Sequence, residues 1–147
     1  METDLEVMIP DDYVSSVGER LLLYKELNDL TTEDQLAAYR SRLVDRFGPI
    51  PQATNELINT ITLRRMAQGF GIEKLVLRQE MMSCHFVASQ DNPFYQSENF
   101  GKLIRYAQNH PTEVRLKESG GRLSLICREV ENISQAIEKL TALISGK

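Results

Sequence analysis

A chain of 147 residues, 41% hydrophobic and 26% charged, has the make-up of an ordinary globular protein, long enough to bury roughly two thirds of its unfolded surface. Its net charge of −4 argues mildly against nucleic acid as the main ligand and leaves a local basic patch open, and two cysteines, Cys84 and Cys127, are too few for a disulfide framework or a clustered zinc site, so reduced, buried thiols are expected. No apolar run approaches the roughly twenty residues of a membrane-spanning helix, and METDLEVMIP lacks the basic and apolar regions of a secretory signal, so no membrane association and a cytoplasmic location are expected.

Along the chain, Leu5, Val7 and Ile9 alternate with Glu6 and Met8 and predict a short strand ended by Pro10. Opening directly on structure is what a domain cut from a longer polypeptide does. Ser16 and Glu19 have capping-box spacing, which places a helix over about Val17 to Asn28 with Leu23, Tyr24 and Leu27 as its buried stripe. Thr31 and Thr32 with Asp34 and Gln35 start a second helix, whose stripe is Leu36, Tyr39, Leu43 and Phe47.

Gly48 predicts that helix's end, in the left-handed conformation after its last turn, and Pro49 prevents continuation. Pro51 fits the first turn of a third helix, where a missing N–H costs nothing. That helix carries Leu57, Ile58, Ile61, Leu63, Met66, Ala67 and Phe70, too wide an apolar surface for an exposed helix. Gly69 and Gly71 close it. The FGPIP joint therefore sets the angle between two packed helices.

From Ile72 the period shortens to that of strands. Leu75 to Leu77 and Cys84 to Ala88 predict two strands, and NFGKLIRYAQNH a helix. Val114 and Leu116, then Leu123, Leu125 and Cys127, flank Gly120-Gly121 as a hairpin, and Ile133 to Ile144 make a last helix capped by Asn132. The expected class is α+β: one domain over 1–147, with residues 1–71 mainly helical and 72–147 running β-β-α-β-β-α as an antiparallel sheet covered on one face.

Nothing in the sequence assembles chemistry. Gly69-Phe70-Gly71 follows a helix and precedes a strand, the reverse of the order that aims a helix N-terminus at a phosphate. Gly101-Lys102 lacks the other positions of a P-loop. Cys84 and His85 are adjacent, so on a strand they point to opposite faces and cannot act together as nucleophile and base. His110, before Pro111, ends a helix. The Phe and Tyr residues sit mostly at stripe positions and read as core. The densest basic group, Arg40, Arg42 and Arg46 with Arg64 and Arg65, is interspersed with Glu33, Asp34, Asp45 and Glu56, the make-up of a solvated mixed-charge face.

The runs IPDDYVSSVGERLLLYKELN, RLVDRFGPIP and LRRMAQGFGIEKLVL resemble the C-terminal (TRCF) domain of the bacterial transcription-repair coupling factors, closely from Ile9 to Leu77 and in pattern thereafter. The most specific elements are Ile9-Pro10-Asp11-Asp12-Tyr13, Arg20-Leu21 with Tyr24-Lys25, and Asp45-Arg46-Phe47-Gly48 with Pro51. The resemblance implies a regulatory domain without catalytic residues, cofactor or metal, taken from a DNA-translocating ATPase whose upstream domains bind ATP, Mg, DNA, RNA polymerase and the excision-repair protein UvrA. In that family the domain docks on the UvrA-binding module of the same polypeptide, masks it and restrains the motor. The partner-binding residues this implies are Asp45, Arg42 and Arg46. Arg42 departs from the acid associated with its position. The structural positions are Pro10, Tyr24, Phe47, Gly48, Pro51 and Gly71.

Asp45 also stands out on physical grounds. It lies in the last turn of its helix, opposite the apolar stripe, where an acid opposes the helix dipole by roughly 0.3–1 kcal/mol. A contact on a partner, a local pair with Arg42 three residues back, and a cap on the third helix each account for it. The other functional reading is a nucleic-acid-contacting accessory domain of the same ATPase; an independent enzyme is disfavoured by the missing constellations.

Overall fold

The computed structural model describes residues 1–88 and 91–145. In chain order its elements are β1 (Glu2–Thr3), α1 (Val17–Asp29), α2 (Glu33–Phe47), α3 (Gln52–Gly69), β2 (Ile72–Arg78), β3 (Met81–Phe86), a 3-10 turn (Pro93–Gln96), α4 (Glu98–Asn109), β4 (Val114–Ser119), β5 (Arg122–Cys127) and α5 (Ile133–Ser145). The fold is α+β, the class the periodicities predict. By contact it forms two compact units, Glu6–Arg65 and Met1–Leu5 with Met66–Lys147, and the boundary falls within α3.

The first unit is helical. Ser16 Oγ accepts the Glu19 N–H and starts α1, but the Glu19 carboxylate turns to Arg46 instead of back to the cap, so half of the expected capping box is made. Thr32 and Gln35 make the complete box at α2. α1, α2 and α3 bury Leu27, Leu36, Tyr39, Leu43, Ile58 and Ile61 in one cluster, with Leu23 and Phe47 packed at its margin. The Tyr39 hydroxyl donates to the Leu23 carbonyl at 2.9 Å, so the one polar atom that α2 carries into this core is satisfied where burial would otherwise cost about 1–3 kcal/mol.

The strand expected at Leu5 to Ile9 is not formed; the first strand is Glu2–Thr3. The alternation that predicted it reflects burial without a ladder. Ile9 is fully buried, but its N–H donates to the Tyr24 hydroxyl at 2.7 Å, while Met8 bonds Ala53 and Thr54 at the start of α3 through its N–H and carbonyl. Side chains and a helix end thus take the hydrogen bonds that a neighbouring strand would take.

The second unit holds a five-stranded sheet in the order β1-β2-β3-β5-β4. β1 runs parallel to β2, through Glu2 with Val76 and Thr3 with Leu77, and every other pairing is antiparallel. The sheet is therefore mixed where an antiparallel one was expected, because a two-residue strand paired with residues 74 positions on (Glu2 with Val76), invisible to local periodicity, adds to its edge. β3 spans Met81–Phe86, earlier than the Cys84–Ala88 expected, because Gln79 and Glu80 turn the chain at positive φ with no glycine to mark the hairpin. Gly120 and Gly121 turn β4 into β5, as their sequence predicts. Alternate residues Met82, Cys84 and Phe86 of β3 and Leu125 and Cys127 of β5 are buried with Leu103 and Tyr106 of α4 and Ile133, Ala136 and Leu140 of α5. Asn132 Oδ1 accepts the Gln135 N–H and caps α5.

Gly71 has φ 75°, and a Cβ there would stand 2.6 Å from the Phe94 ring. Phe94 is stacked on Phe86 at 5.4 Å and meets Phe70 edge-on at 5.9 Å. A glycine is required both by the backbone and by this aromatic cluster.

Candidate interaction site at the end of the second helix

The site is built on the antiparallel pair α1–α2. Glu26 pairs with Arg42, and Glu19 with Arg46 at 3.3 Å. Each guanidinium also lies over a ring of its own helix, Arg42 over Tyr39 at 5.8 Å and Arg46 over Phe47 at 4.9 Å, an arrangement worth about 0.5–1 kcal/mol at an exposed site. Glu26, Arg42 and Arg46 with the two rings line a cleft together with Leu23 and Leu43. Burial, and secondarily the Glu26 carboxylate, pushes the Tyr39 hydroxyl up to about 12, so it stays a hydrogen-bond donor.

The helix end is closed from outside. Gly48 has φ 90° and ψ −164°, not the left-handed helical values expected but a region open essentially to glycine alone. Its N–H still bonds the Val44 carbonyl at 3.0 Å. Tyr13 donates its hydroxyl to the Gly48 carbonyl at 2.8 Å, with the Leu43 carbonyl at 3.2 Å, and its ring packs on Phe47 at 5.7 Å. The single hydroxyl proton satisfies the Gly48 carbonyl just beyond the helix, with the Leu43 carbonyl as the longer alternative. Pro10 holds Tyr13 in place, its carbonyl accepting the Tyr13 and Val14 N–H groups at 3.1 Å. Pro51 stands one residue before α3 and not in its first turn; its carbonyl accepts the Asn55 N–H at 2.9 Å and so begins the helix.

Asp45 is exposed on α2, and among the described residues it makes no hydrogen bond or ion pair. Arg42 is taken by Glu26, so the local Arg42–Asp45 pair is not formed, and neither is a cap on α3. Of the rest of the basic group, Arg65 pairs with Glu33, while Arg40 donates to the uncharged amides of Asn55 and Asn59 and Arg64 to that of Asn28. What α2 presents at its C-terminal end is thus two compensated arginines and one uncompensated carboxylate. Sequence reasoning singled out Asp45, Arg42 and Arg46 but missed Glu19, Glu26 and Tyr13. The two glutamates are seven residues apart, two turns on one face of α1, and that spacing opposite Arg42 and Arg46 was the available signal.

Elsewhere, Cys84 and Cys127 are both buried, and burial pushes both thiols up, Cys127 to about 12. His85 faces away from Cys84 and bonds Ser124 Oγ at 2.8 Å. His110 caps α4 and stacks on Tyr106. Among the described residues there is no group of three or more His, Cys, Asp and Glu able to hold a metal ion, and no helix is long and apolar enough to cross a membrane.

The architecture defines an α+β domain whose candidate site is an exposed charged surface and not a cavity with reacting groups. In shape it is similar to the crystal structure of the C-terminal domain of a transcription-repair coupling factor, with a TM-score of 0.77 over 99% of this chain and 92% of that one at 14% identity, a likeness of fold. The TRCF domain family model matches residues 3–97, and the chain belongs to that family. Curated relatives are transcription-repair-coupling factors: 36% identical over 75 residues in Escherichia coli K12, covering 51% of this chain and 6% of that protein, and 31% over 118 residues in Rickettsia conorii, covering 77% and 9%. Borreliella burgdorferi has one 27% identical over 122 residues, covering 80% and 10%. The chain spans about a tenth or less of the length of these relatives.

Proposed function

We propose that this chain serves as the regulatory domain of a transcription-coupled repair translocase in the cytoplasm, docking on the UvrA-binding module of the same polypeptide through the C-terminal end of α2. Docking masks that module from UvrA and restrains the motor, while ATP, Mg, RNA polymerase and DNA are handled by other domains. The observation that carries this reading is the uncompensated Asp45 beside two arginines already held by Glu26 and Glu19. A carboxylate at a helix C-terminus costs roughly 0.3–1 kcal/mol in the isolated domain; a cation on the partner would recover that cost, and a desolvated charge-assisted bond more. Arg42 and Arg46, held over Tyr39 and Phe47, flank it.

The test is Asp45→Lys. Stability of the isolated domain should be unchanged or slightly higher, since the helix-end penalty is removed. Capture of the isolated UvrA-binding module by the domain should weaken, and in the full-length protein basal ATPase and UvrA binding should rise together. Unaltered capture and unaltered UvrA affinity would remove Asp45 from the site.

A further inference from the structure

Beside the Gly120-Gly121 turn the sheet-bearing unit has a cavity of about 320 Å³, lined by Tyr95, Phe100, Glu118, Gly121 and Leu123. That volume lies at the lower end of the range for ligand sites and suits one long side chain or a small organic ion. Along β4, Val114, Leu116 and Glu118 alternate with the exposed Arg115 and Lys117, so the Glu118 side chain lies on the face that is buried at Val114. Its register partner is Leu123, and it stands where that apolar face runs out, toward the 3-10 turn and the first turn of α4, which supply the two rings. Tyr95 and Phe100 meet at 76° with centroids 5.3 Å apart, and both meet Phe94 edge-on, at 5.5 and 5.8 Å. The Tyr95 hydroxyl donates to the Val87 carbonyl at 2.5 Å, which fixes its ring.

One charge lines this cavity, and it is uncompensated. Among the described residues Glu118 makes no ion pair or hydrogen bond, no cation lines the cavity, and the nearby Arg122 is taken by Glu73. Burial raises the Tyr95 hydroxyl, Arg122 opposes the rise, and Glu73 and Glu118 add to it, so the Glu118 carboxylate is felt at the ring. We propose that the cavity binds an organic cation of side-chain size, a guanidinium or ammonium group on a short apolar stem, with Glu118 holding the charge and Tyr95, Phe100 and Leu123 receiving the stem. Aromatic faces attract a cation through the ring quadrupole, and the carboxylate adds a charge-assisted hydrogen bond. An anion would be repelled by Glu118, and an uncharged apolar ligand would strip water from the carboxylate without replacing its partner. Two sources carry such a group: an arginine or lysine side chain of a partner protein, and a free small cation. The site lies wholly in the sheet-bearing unit, and its use does not depend on the docking of α2.

The experiment titrates the whole isotope-labelled chain with butylguanidinium, with its uncharged isostere butylurea, and with the blocked peptide acetyl-Gly-Arg-Gly-amide, and follows amide chemical shifts. The two cations should saturably shift Phe100, Gly121 and Leu123, and butylurea should bind about tenfold more weakly. E118Q should weaken both cations by about tenfold and leave butylurea unchanged, while Phe100→Leu, which keeps an apolar wall but removes the ring, should weaken the cations more than butylurea. E131Q, the same charge change in the acidic depression formed with Glu80, Glu129 and Glu138, should bind as the parent does. A peptide that binds more tightly than butylguanidinium identifies a protein side chain as the source, and the reverse order a free small cation. The inference is overturned if no saturable shifts appear around the cavity, if E118Q binds the cations as tightly as the parent, or if butylurea binds as tightly as butylguanidinium. Variant spectra that superpose on the parent's away from the cavity exclude loss of fold as the cause.

Discussion

Replacing Gly48 by alanine isolates the cost of the joint between α2 and α3. Its φ of 90° and ψ of −164° lie outside the range of L-residues, yet an added Cβ would meet nothing within 4 Å. The penalty is therefore backbone strain, about 1–3 kcal/mol. Against it stands the lower entropy of the unfolded chain, a gain of about 0.4–1 kcal/mol. If the backbone relaxes, the Tyr13 hydroxyl loses the Gly48 carbonyl, which adds about 0.5–1.5 kcal/mol. The net expectation is a loss of about 1–3 kcal/mol. Gly120 is the reference: at φ 60° in an exposed hairpin with open space around it, alanine there occupies the ordinary left-handed region, and strain and entropy nearly cancel. Urea unfolding followed by near-ultraviolet circular dichroism of the tyrosines reads both variants, together with Tyr13→Phe and the Tyr13→Phe/Gly48→Ala pair. Because one hydrogen bond cannot be lost twice, the pair should cost less than the sum of its parts. A Gly48→Ala variant no less stable than Gly120→Ala, or full additivity with Tyr13→Phe, would refute this account of the helix end.

Cys84 and Cys127 are buried with their thiols pushed up, Cys127 to about 12; a chromogenic disulfide reagent at mildly alkaline pH should label neither on the timescale in which it labels both in denaturant, and immediate native-state labelling would contradict the packing described. His85 has a folded pKa below its unfolded value, so the unfolded chain binds the proton more readily, and stability is fully present above the unfolded pKa of about 6.5 and declines as pH falls toward the folded value. Removing the titrating ring in His85→Gln should flatten stability across that window, and nuclear magnetic resonance should place the native His85 midpoint below that of a free histidine; a midpoint at or above it would show that neither burial nor the neighbouring Arg122 and Lys74 is felt.

Local physics carried much of this fold into the sequence. Ser16, Thr32 with Gln35, and Asn132 announce their helices because a cap is satisfied within three residues. The stripe Leu36, Tyr39, Leu43 announces which side of α2 is buried, because a helix can hide only one face. Gly48 announces an ending, and Asp45 an unfavourable charge at it. Other features depend on residues far apart in the chain, and no local period encodes them. Gln79 and Glu80 turn without glycine, held in a hairpin whose partners are already set by the sheet. β1 adds in parallel to β2 across some seventy residues, and β3 pairs with β5 instead of with its neighbour in sequence β4. Only that order lines Lys74, His85, Ser124 and Lys117 into one row, and only the added edge strand brings Glu2 to Lys74. The same holds at the helix end: the sequence by itself put Arg42 three residues from Asp45, and the packing of α1 on α2 brought Glu26 to that arginine. Periodicity and capping are settled within a turn or a strand, whereas which charges meet is settled by loop closure between distant segments, whose register is chosen by the buried faces and not by the charges themselves.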